Sequence, residues 1–176
     1  MARPVELLLD VLRRESDVGA CRHLGLWGDA VAAAVAASDR CLVVGDPSVS
    51  SATSAARVIE LASRVGVPRT RMSAVFNRFG ARGADEDVAM RFEITCALSS
   101  KIRIADGGQD LAALMAFGRA DEAVGQTSAF ATSVREATRK MLVELGCAVG
   151  PWSDMVTDRA TRTERPRIRL PWSRGG

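Results

Sequence analysis

Residues 41–68 read CLVVGDPSVSSATSAARVIELASRVGVP. The apolar run Leu42-Val43-Val44 carries no polar alternation, which predicts a strand buried on both faces, as in a parallel sheet. Asp46 is a cap-type residue and Pro47 suits a first helical turn. Val49, Ala52, Ala56, Ile59 and Val65 then recur on neighbouring turns of a helix that Gly66 and Pro68 bring to an end. A strand passing through a tight turn into an amphipathic helix is where nucleotide folds hold phosphate. No glycine-rich phosphate loop stands in this stretch.

The same alternation continues on both sides. Upstream, Val5, Leu8, Leu9 and Leu12 have helical spacing over Pro4 to Arg14, and DAVAAAVAAS (29–38) predicts a closely packed alanine helix. Downstream, Met72 to Phe76 reads as a second strand closed by Asn77-Arg78. Gly80 and Gly83 mark a loop, and Asp85 to Phe92 a short helix. Ile102 and Ile104 suggest a third strand, after which Asp106-Gly107-Gly108 turns the chain into a helix over Leu111–Phe117 that ends at Gly118. A last helix runs from about Thr132 to Leu145 and stops at Gly146. Strands alternating with helices imply an α/β fold: three layers, with a small, mainly parallel sheet between flanking helices. Residues 1–150 are expected to form one domain, with 1–27 as a helical N-terminal extension and 151–176 as a basic, disordered tail. The outer edges of so small a sheet need cover from the N-terminal helices, a partner chain or both.

The 176 residues carry a net charge of +3, too small to argue for nucleic acid. Its distribution says more: residues 157–176 hold six arginines against Asp158 and Glu164, so this tail is +4 and the remainder −1. Cys21, Cys41, Cys96 and Cys147 are far apart and read as free thiols in a reducing cytosol. His23 near Cys21 does not complete a metal site. No signal peptide and no run of about 20 apolar residues is present, which places the expected location in the cytoplasm.

Three segments carry a resemblance: AAAVAASDRCLVVGDPSVSSATSAARVIELASRVG (32–66), MSAVFNRFG (72–80) and IRIADGGQDLAALMAFGRADEAV (102–124). In this order they resemble the C-terminal half of MinD/ParA-like P-loop ATPases, in the flavour of the CpaE type of pilus assembly. The likeness covers roughly residues 28–146 and implies a truncated P-loop topology. The family's Walker A loop, ending in Gly-Lys-Thr or Gly-Lys-Ser, is absent. The only lysines are Lys101 and Lys140, and neither follows a glycine-rich loop. Its first strand is missing too, and Ile104-Ala105-Asp106 stands where the family has Ile-Pro-x-Asp.

The resemblance puts Asn77 where the family bonds the adenine edge, beside Arg78, with Asp106, Gly107 and Gly108 at the end of the next strand. The alternative for Asn77 is a strand-end amide bonded to nearby backbone, and for Gly107-Gly108 an ordinary turn in place of an anion nest. Asp46 mimics the acid of a Walker B strand but reads as a helix cap. In the tail, Arg165, Arg167, Arg169 and Trp172 form an alternating basic and apolar segment, in which Pro166 and Pro171 oppose a helix. It is either a solvated terminus or a contact for anionic lipid, nucleic acid or an acidic protein. No catalytic residue and no metal site is expected. No cofactor is expected either, with ATP–Mg²⁺ as the alternative.

These features suggest a non-hydrolytic interaction or regulatory protein of a positioning, pilus or secretion, or conjugation system, working with a protein partner or as a homodimer. Two alternatives stand beside it: a nucleotide-binding ATPase whose partner supplies the phosphate loop, and a nucleic-acid accessory protein acting through the arginine tail.

Overall fold

A computed structural model describes residues 28–147, 149 and 150, and of the first 27 residues only Leu7, Leu9, Asp10, Val11 and Arg14, all helical. The chain divides into two compact units, residues 1–138 and 139–176. The first unit holds α1 (Asp29–Ala37), β1 (Cys41–Gly45), α2 (Val49–Arg64), β2 (Met72–Phe79), α3 (Glu86–Cys96), β3 (Ser100–Ala105), α4 (Gly108–Ala116) and α5 (Ala120–Gly125). It also holds the first turns of α6 (Ala129–Glu144), whose last turns lie in the second unit. In that second unit α6 ends at Glu144, and beyond it the Cys147 N–H donates to the Leu142 carbonyl.

The protein is α/β, with an all-parallel three-stranded sheet in the order β1-β2-β3, flanked by helices. The register pairs Cys41 with Met72, Val43 with Ala74 and Gly45 with Phe76, and on the other side Ala74 with Lys101 and Phe76 with Arg103. Strand side chains alternate, so these residues share one face. That face carries the core: Val43, Met72, Ala74 and Phe76 pack with Ala55, Ile59 and Ala62 of α2 and with Ala89, Phe92 and Cys96 of α3. On the opposite face the Ser73 hydroxyl donates to that of Ser100 at 2.8 Å.

The helices end where the glycines foretell. Gly66 and Gly118 take positive φ, and the next residue's N–H returns to the carbonyl five positions back, Val67 to Ala62 and Arg119 to Leu114.

Several boundaries differ from expectation, and α3 runs to Cys96, four residues past Phe92. Helix α2 starts at Val49 with Ser48 as its N-terminal boundary, so Asp46 is not its cap. The Asp46 carboxylate instead accepts from the Ser48 N–H at 2.9 Å and from the Ser48 hydroxyl, a local turn two residues ahead of the helix. Strand β2 does not close at Asn77-Arg78 but runs on to Phe79 through an irregularity between Phe76 and Phe79. Helix α6 begins at Ala129, not Thr132, because the Ser128 hydroxyl accepts from the Ala131 N–H and starts it early. Of the four cysteines, Cys96 is buried and Cys41 and Cys147 are half-buried, all three free; Cys21 and His23 lie outside the described residues. Burial pushes the Cys41 and Cys96 thiols above the usual range.

A polar corner at the carboxyl ends of the strands

Parallel strands end on the same side of a sheet, and in open α/β folds that side is where ligands sit. Here β2 delivers Asn77 and Arg78 to it, and β3 delivers Asp106 with the Gly107-Gly108 turn. Three steps of β2, from Phe76 to Phe79, span two steps of β3, from Arg103 to Ala105, so Asn77 and Arg78 form a bulge. Arg78 carries the turn with φ +62°, a left-handed conformation that costs a side-chain-bearing residue about 1–2 kcal/mol. Strain of this kind at the end of a strand re-aims the side chain.

The re-aimed Arg78 Nε donates to Asp106 Oδ1 at 3.3 Å. The backbone closes the same corner, with the Asp106 N–H on the Phe79 carbonyl at 2.9 Å. Asp106 Oδ2 accepts from the Gly108 N–H at 3.3 Å, so the first amide of α4 is held by the chain's own carboxylate. Gly107 bounds α4, and a Cβ there would lie 2.3 Å from Cδ2 of Leu111, so the turn has no room for a side chain. The Asn77 side chain is half-buried and makes no hydrogen bond to a described residue. At the end of β1, the Asp46 N–H donates to the Ser51 hydroxyl at 2.8 Å. The hydroxyl and N–H of Ser48 hold the Asp46 carboxyl below the usual carboxylate range, with Arg78 as a smaller contribution.

Asn77, Arg78, Asp106, Gly107 and Gly108 are thus brought together. Lys101 is not among them. It lies near the start of β3, roughly 16 Å along the strand from Asp106, and its Nζ is 3.8 Å from Glu93 Oε2. Arg165, Arg167, Arg169 and Trp172 lie outside the described residues. Among the described residues no group of three or more His, Cys, Asp or Glu could hold a metal ion, and no helix is long and apolar enough to cross a membrane.

Ser48 and Ser51 were missed as neighbours of the corner. The Asp-x-Ser spacing of Asp46 and Ser48 is the local signal that could have found them. The corner offers an amide, a guanidinium and two carboxylates, a set that reads a polar edge. Comparison with protein-family models, with curated proteins and with solved structures gives no match to this chain.

Proposed function

We propose that the protein is a non-hydrolytic, MinD/ParA-like interaction or regulatory protein, serving a positioning, pilus or secretion, or conjugation system. One observation carries this reading: the Gly108 amide at the start of α4 is already bonded by Asp106. A phosphate arriving there has to displace that carboxylate and then meet Asp110 in the same first turn. Phosphoryl transfer depends on a cradle of backbone amides and a lysine with Mg²⁺ to neutralise developing charge. The lysine of β3 is turned to Glu93 instead.

A second reading has one observation in its favour. The Asn77 amide has no described protein partner, and it offers the donor and acceptor that an adenine edge requires. Under that reading the chain holds a base and a partner brings the phosphate loop. Calorimetry with ATP, ADP and GTP in the presence of Mg²⁺, together with a turnover assay on the isolated chain, separates the two. The proposed function expects no turnover and no ligand-induced rise in melting temperature. Binding without turnover, abolished by Asn77→Ala, favours the second reading; turnover by the isolated chain refutes the first.

A further inference from the structure

We draw no further inference here: the strongest candidate, the exposed apolar surface patch of Met115 and Phe117 at the end of α4, carries nothing because no observation in the structure shows what covers it.

Discussion

Two neighbouring residues of α3 hold the two edge strands by opposite means. Phe92 is buried, its ring centroid 5.5 Å from that of Phe76, and it fills the space that Gly45 of β1 leaves open. A Cβ on Gly45 would sit 2.1 Å from Cε2 of Phe92, so the contact between strand and ring is backbone-close. Glu93, about 100° further round the helix, faces β3. Its carboxylate accepts from Arg103 Nε at 2.6 Å and lies 3.8 Å from Lys101. Arg103 also bonds both oxygens of Glu86 at 2.7 Å and stands 5.3 Å over the Phe79 ring. The β1 side gains stability from area removed from water, which needs shape but no particular partner. The β3 side gains it only while every charge keeps its partner. The two cations that satisfy Glu93 and Glu86, Lys101 and Arg103, both stand on β3.

Phe92→Ala attacks the apolar half and carries the largest expected effect. Removing a ring packed against Phe76, Ala89 and β1 leaves a cavity, and the expected loss is about 3–5 kcal/mol in urea unfolding. A loss under about 1.5 kcal/mol would mean that the two strands and two helices close over the gap, and that shape does not hold β1.

Glu93→Gln attacks the charged half. It keeps the size and one acceptor for Arg103 but removes the charge that Arg103 and Lys101 face. Arg103 retains Glu86 and is partly solvated, so the expected cost is smaller, about 1–3 kcal/mol, with the difference from wild type shrinking at high salt. If Glu93→Gln costs as much as Phe92→Ala, the contrast between the two halves fails. If it costs nothing, Glu93 is an ordinary surface carboxylate despite being 7% exposed.

The apolar half was legible in the sequence and the charged half was not. Leu42-Val43-Val44, the periodic residues of α2 and the glycines at 66, 118 and 146 placed the strands and long helices, but burial went less far than expected: Leu42 and Val44 are exposed, so β1 is not buried on both faces, and Val49 lies in solvent. Asn77, Arg78, Asp106, Gly107 and Gly108 converge because parallel strands separated by helices must end on one side. The bulge that aims Arg78 was hidden, since its left-handed position holds arginine where glycine or asparagine would have announced it. The pairing of Glu93 with Arg103 joins residues of different elements, and no spacing rule reports it. The short α5 went unread because ADEAVG offers less than two turns of periodicity.

The smallest expected effect lies at the end of β1, where the edge first meets charge. Ser48 bounds α2 but makes no side-chain cap, because its hydroxyl is donated to Asp46. Ser48→Ala therefore removes a donor to a carboxylate and not a helix cap, and the backbone N–H of residue 48 keeps its bond. The Asp46 carboxyl is depressed chiefly by that hydroxyl, so its folded pKa should rise towards the ordinary value, a shift that carboxyl-detected NMR titration reads directly. A group with a depressed folded pKa contributes stability above its unfolded pKa and loses that contribution as pH falls through the folded one. The variant should accordingly melt slightly below wild type at about pH 7, and the two curves should merge below the folded pKa of Asp46. An unchanged Asp46 titration would transfer the depression to the backbone N–H and Arg78. A melting difference that persists in acid would show that Ser48 acts on α2 itself, and β1 would then meet its helix through a cap after all.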